Sequence, residues 1–223
     1  MELPKLYTTI NQSQRRDFQD TLAKFSSCLT WGEEECDVLD VGCGSGDVTR
    51  DVLRPSLQCS KPRIVGIDVS QAMVDFARTS RTHELQFHVM DIATSQNPRH
   101  LFPDGFDKIY SNCVLHWVSN ERHAMQNMYD LLKPGGEMVL LFMAWHPGIH
   151  AVEILATKPM WEAYSLQDTL KHVFPHRHSE DPAKEVRELL ESLGFHVESC
   201  ECYERSFSFE NRQAILGKTH FLS

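Results

Sequence analysis

Hydrophobic positions fall into two rhythms along this chain, and the switching between them predicts its elements. Phe18, Leu22, Phe25 and Leu29 recur at helical spacing on one face, so residues 13–29 are expected to form a helix, while residues 1–12 carry no such period and read as irregular. Short apolar runs follow at Val38–Val41, Arg63–Asp68, Leu85–Met90, Phe106–Ser111 and Glu137–Trp145, each the length of a strand. Helices are predicted between them over 47–54, from Ser70 through Met73, Val74, Phe76 and Ala77, and over 121–132. Pro55 should stop the first, because the residue before a proline is steered away from helical geometry. The Ser70 hydroxyl should cap the second. Residues 100–105 read as a loop, and Lys133-Pro134-Gly135-Gly136 as a tight turn into the fifth strand. An amphipathic helix over 182–193, begun near Pro182 and ended by Gly194, leads to a last strand from Phe195 to Cys202. Residues 205–223 carry no pattern that assigns them.

Strands alternating with helices at this spacing predict an α/β fold, a doubly wound, mostly parallel sheet covered on both faces. Residues 146–180 break the alternation, with Trp161, Tyr164, Phe174, three prolines and a short helix containing Leu166 and Leu170. An aromatic insertion after the fifth strand reads as a cap over the carboxyl edge of the sheet. The whole chain, 1–223, is read as one domain that carries a lid helix within 1–30 and this cap.

The first strand runs into Gly42-Cys43-Gly44-Ser45-Gly46, and a helix follows. Strand, glycine turn and helix open a ligand crevice in α/β folds, the glycines permitting a tight turn and close backbone approach. The third glycine or alanine of a dinucleotide fingerprint would fall at position 47, which is Asp. Asp40 precedes the turn, Asp68 ends the second strand, Asp91-Ile92 follow the third and Asn112 follows the fourth. Asp68 is placed to accept ribose hydroxyls and Asp91 an exocyclic amine, although either could also cap the next turn. Three acids at one edge suit a cationic ligand bearing hydroxyls and amines better than one bearing phosphates. S-adenosylmethionine meets that description, and a nicotinamide dehydrogenase is disfavoured.

Charge narrows the partners further. The chain has 22 basic and 31 acidic residues, a net charge of −9, which argues against nucleic acid and anionic membrane surfaces. Seven cysteines without a CxxC pair read as reduced thiols. No apolar segment is long enough to span a bilayer and no signal stretch opens the chain, so a cytoplasmic protein without stable membrane insertion is expected. His172, His176 and His178 have no acidic or cysteine partner at metal spacing, and no metal is expected. Oligomeric state is left open.

VLDVGCGSG, the acid ending the second strand, the Asp after the third and LLKPGG together resemble the class I S-adenosylmethionine-dependent methyltransferases, over roughly residues 36–145. More narrowly, SQRRD at 13–17, CVLHWV at 113–118 and LLKPGGE at 131–137 resemble the arthropod juvenile hormone acid methyltransferases, and bacterial trans-aconitate methyltransferases carry a similar segment. The resemblance implies a Rossmann-like fold and S-adenosylmethionine as cofactor. It places Asp40, Gly42, Cys43, Gly44, Gly46, Asp68, Val69, Met73, Asp91, Ile92 and Asn112 around that cofactor. It gives Gln14 and Trp117 the carboxylate of a small hydrophobic acid such as farnesoic or juvenile hormone acid. Core packing for Trp117 and a solvated helix position for Gln14 are the plainer readings, and His116 could orient the acid or fill space. Members of this family usually end in an antiparallel strand beside the last parallel one. Here Ala214–Gly217 and Phe221-Leu222 offer little for it, so the atypically short C-terminus is expected to weaken stability and activity.

Overall fold

A computed structural model describes residues 4–32 and 34–206. Five strands, β1 (Glu35–Val41), β2 (Lys61–Asp68), β3 (Leu85–Val89), β4 (Phe106–Asn112) and β5 (Leu132–Leu141), make one parallel sheet in the order β3-β2-β1-β4-β5. The helices are α1 (Pro4–Ile10), α2 (Gln12–Phe25), α3 (Arg54–Ser56), α4 (Gln71–Ala77), α5 (Glu121–Leu131), α6 (Pro147–Ala156), α7 (Leu166–Leu170) and α8 (Pro182–Ser192). This is the doubly wound α/β sheet the alternation predicted.

The strands read as nearly continuous apolar runs because both faces are buried. Val38 and Ile64 pack with Phe18 and Leu22 of α2, Val52, Leu53 and Val74 of α4 on one face. Leu39, Val41, Val65, Ile67 and Ile109 pack with Met125 and Met128 of α5 and Leu190 of α8 on the other. The chain steps outward from β1 to β3, then crosses back to β4. That reversal leaves a crevice beyond the carboxyl ends of β1 and β4, where Val41 pairs with Ser111. A third apolar cluster, Ile149, Leu170 and Phe174, forms the heart of the cap.

Several expectations are corrected. Residues 4–10 are helical rather than irregular, and the long first helix stops at Phe25 instead of Leu29. Pro55 does not end its helix. A π turn over Thr49–Leu53, in which Arg54 N–H donates to the Thr49 carbonyl, carries the chain on through α3. The wider turn accommodates a ring that would collide with a carbonyl four residues back. The Lys133–Gly136 turn is an excursion within β5, since Phe106 pairs with Leu132 and Lys108 next pairs with Glu137.

No strand forms over 195–202. Phe195, Val197 and Cys200 still pack on the α5–α8 face, but Phe195 N–H donates to the Leu190 carbonyl and the Val197 carbonyl accepts from Arg187. The apolar pattern there reported burial and not pairing. The weak closing strand assigned to 214–222 lies outside the described residues. The thiols are not all free either. Parallel pairing of β1 with β2 brings Cys36 and Cys59 to a Cα separation of 6.2 Å, and they are joined as a disulfide.

Candidate functional site

The glycine turn is built by close packing below and left open above. Gly42 and Cys43 donate their N–H groups to the Ile67 carbonyl at 2.7 and 3.0 Å, which ties the turn to the end of β2. A side chain on Gly42 would collide with Val114, 2.0 Å from its Cβ, so only glycine fits at that φ of +76°. Gly44 is different. Its φ is +53°, yet a Cβ there would meet nothing nearer than Tyr7 at 3.5 Å, so this residue faces the cleft.

Asp68 accepts the Gly44 N–H at 2.9 Å on one oxygen and the Ser70 N–H at 2.8 Å on the other. An ionised carboxylate has about four acceptor positions, so capacity remains for a ligand's hydroxyls. Val69 beside it is exposed, and Met73 is buried at the start of α4, whose N-terminus Ser70 caps as expected. Asp40 is buried with Thr49 Oγ1 donating to it at 2.6 Å, and burial raises its carboxyl to about 6. Burial also pushes the Cys43 thiol well up and the Cys113 thiol to about 12, which keeps both protonated and poor nucleophiles.

Position 47 explains its departure from the dinucleotide pattern. Asp47 accepts Arg15 Nη1 at 2.6 Å, Asn11 Nδ2 at 3.0 Å and Ser45 Oγ at 2.5 Å. It thereby fastens α1 and α2 to the glycine turn. Asn11 is wholly buried at this junction. Tyr7, on α1, lies near enough to Cys113, Asp47, Asp68 and Asp40 that burial and those groups together raise its hydroxyl. Sequence reasoning missed Tyr7, Asn11 and the Arg15–Asp47 pair. The available signals were Pro4 at a helix start and Leu6 with Ile10 one helical turn apart.

Asp91 is exposed at the end of β3, with one oxygen accepting the Ala93 N–H at 2.8 Å. Ile92 is buried behind it, its carbonyl held by Asn127 at 2.7 Å. Asn112 Nδ2 donates to the Gln14 carbonyl at 3.5 Å, while Asn112 Oδ1 is buried with no partner among the described residues. Gln14 therefore comes to the carboxyl end of β4 from the lid side. Its amide oxygen accepts from Ser13 Oγ at 2.8 Å, which makes Nε2 the donor end. Trp117 reaches the same edge from the 3₁₀ turn Leu115–Trp117 and is 43% exposed, not core packing.

Among the described residues, no group of three or more histidine, cysteine, aspartate or glutamate side chains is placed to hold a metal ion. His176 does have acidic partners, brought by the fold from distant positions. Its Nε2 lies 2.9 Å from Glu121 at the start of α5, and its Nδ1 lies 2.9 Å from Glu185 of α8. Two carboxylates facing both ring nitrogens favour the doubly protonated imidazolium and raise the pKa of His176.

The edge offers carboxylates, an open glycine and an orphaned amide oxygen, with the Arg15 guanidinium engaged by Asp47. That acceptor-rich setting fits a ligand with an ammonium, hydroxyls and a positive sulfur. Residues 33–192 match the family profile described as a methyltransferase domain. Over 219 residues the chain is 36% identical to the juvenile hormone acid O-methyltransferase of Drosophila melanogaster, covering 96% of this chain and 73% of that protein. It is 30% identical over 211 residues to the Bombyx mori protein of the same name, covering 94% and 74%. Among solved structures, Haemonchus contortus phosphoethanolamine N-methyltransferase 2 in complex with phosphomonomethylethanolamine and S-adenosylhomocysteine matches with a TM-score of 0.56. At 15% identity, covering 86% of this chain and 41% of that one, this is a likeness of fold alone.

Proposed function

We propose a function from one premise: the chain belongs to the methyltransferase-domain family and has its class I S-adenosylmethionine-dependent fold. The chain is a carboxyl O-methyltransferase whose substrate is a small hydrophobic acid, in the manner of the juvenile hormone acid O-methyltransferases it resembles. S-adenosylmethionine, when bound, supplies an electrophilic methyl group on a positively charged sulfur. Gly44 and Tyr7 line the place for its amino acid end, Asp68 accepts its ribose hydroxyls, and Asp91 accepts from its adenine amine beside Ile92. Asp40, Cys43, Val69, Met73 and Asn112 complete the surround.

The observation that carries the substrate side is the hydrogen bond from Asn112 to the Gln14 backbone carbonyl, which brings the main chain of Gln14 to the edge that Trp117 also reaches. A carboxylic acid is already ionised at neutral pH. The chain therefore needs no base for it, and it needs donors that hold one oxygen while the other is aligned with the methyl group. Amide and indole N–H groups do that without forming the ion pair that an arginine would make. Tyr7 on the lid and the aromatic cap exclude water from the reacting centre.

Incubation with labelled S-adenosylmethionine and farnesoic, long-chain fatty and trans-aconitic acids, read by product mass, tests this reading. The expected product is a methyl ester of the hydrophobic acid. An N- or C-methylated product, preference for the tricarboxylic acid, or failure to bind the cofactor in titration calorimetry would each reject it.

A further inference from the structure

His116 is 1% exposed at the junction of sheet edge and cap, and its two nitrogens are treated differently by the fold. Nδ1 accepts the Met143 backbone N–H at 3.3 Å. Burial, helped by nearby His146, lowers its pKa to about 3, so the ring is neutral at physiological pH. A neutral imidazole that accepts at Nδ1 carries its proton on Nε2. That Nε2–H is buried and has no partner among the described residues.

An orphaned buried donor destabilises the fold, and a phenylalanine or leucine would fill the space without that penalty. Packing alone therefore does not account for a histidine here. The ring of Phe174 covers it, 4.7 Å from His116 and 5.2 Å from Trp117, and the Phe174 N–H donates to the His116 carbonyl at 2.6 Å. Phe174 sits at φ +50°, a left-handed conformation that a bulky residue adopts only under constraint. Phe174 thus packs on the buried His116 ring in a constrained backbone conformation, and its displacement would uncover His116 beside the already exposed Trp117.

We infer that His116 is a substrate-orienting residue: with Phe174 displaced, its Nε2–H donates to a carboxylate oxygen of the acid, beside the indole of Trp117. This rests on the carboxylic acid reading above and adds to it a third neutral donor. It assigns His116 no role in proton transfer, since Nδ1 is occupied by a backbone N–H and Nε2 already carries its proton.

The test compares farnesoic acid with farnesol, which keeps the chain and lacks the carboxylate. Dissociation constants are measured in the presence of S-adenosylhomocysteine for the wild type, His116→Phe and His116→Gln. The phenylalanine variant should lose about tenfold in acid affinity, the worth of one hydrogen bond, with farnesol and S-adenosylhomocysteine affinity unchanged. Glutamine, whose amide N–H reaches the Nε2 position, should restore most of it. Equal acid-over-alcohol preference in the wild type and His116→Phe overturns the inference and leaves the carboxyl reading standing. A wild type that shows no preference for the acid overturns both. Should the phenylalanine variant fail to fold, the Nε2–H proton resonance of the wild-type protein decides. It should move downfield with farnesoic acid and not with farnesol, and an unmoved signal overturns the inference.

Discussion

The cleft has two covers, and they are fastened by different chemistry. The N-terminal lid, α1 and α2, is held to the glycine turn by Asp47, through the Arg15 guanidinium and the Asn11 amide. The cap is held to the body by His176, clasped between Glu121 and Glu185, while the Arg177–Glu153 pair at 2.8 Å lies within the cap itself. A guanidinium and a carboxylate keep their charges from about pH 5 to pH 10, whereas an imidazolium does not. The fastening of the lid thus contains no group that ordinarily changes charge near neutral pH, whereas the fastening of the cap contains one.

The largest effect should come from Asp47→Ala. It removes the acceptor of the buried Asn11 amide and leaves part-buried Arg15 with the more distant Asp51 at 3.4 Å, and breaking such a cluster from one side costs about 3 kcal/mol. Denaturant melts should show that loss, and calorimetry should show weaker S-adenosylmethionine binding. Unchanged cofactor affinity would mean the lid does not shape the site. His176→Gln should cost somewhat less, about 2 kcal/mol, by removing a charge-assisted contact to two carboxylates. Its signature should be increased proteolysis within 146–180, with cofactor affinity intact.

The third prediction separates the covers by pH. The pKa of His176 in the folded chain is raised, by Glu121 first, so its contribution is complete below its unfolded value, about 6.5, and is lost as pH rises through the folded value. The stability difference between the wild type and His176→Gln should therefore shrink above neutrality, while the difference between the wild type and Asp47→Ala stays level over the same range. Parallel curves would refute the contrast. The smallest effect is expected at Lys24, whose partner Glu201 is as exposed as itself. Lys24→Met should change stability by less than about 0.5 kcal/mol in urea melts.

The asymmetry also marks what could be read from sequence. Asp40, Asp68 and Asp91 were legible because each stands at the carboxyl end of a strand or just past it, and strand periodicity locates those ends. Asp47 looked like a mere departure from a pattern, because its meaning lies in Asn11 and Arg15, 36 and 32 residues earlier, and periodicity shows which residues share a face but not which partner a polar side chain meets across the fold. His176 was judged by its neighbours in sequence and found without acids. Its partners come from α5 and α8, which only the fold brings together. The missing strand at 195–202 failed in the opposite sense. Alternating apolar residues reported which side chains are buried, and they say nothing about whether a backbone neighbour exists to bond with.

The π turn after the glycine loop has a consequence for how this region tolerates insertion and deletion. A helix that contains one such turn holds an extra residue relative to a plain α-helix. Thr49 at its start reaches back to Asp40, and Val52 and Leu53 farther along reach the core. Removing one residue between them would let the segment close into ordinary α-helix with both flanks kept near their present faces, because a π turn and an α turn each complete one revolution. What the deletion would remove is the clearance for Pro55, whose ring would meet the carbonyl that the wider turn keeps out of its way. The extra residue between positions 49 and 53 is therefore required by Pro55 more than by the core.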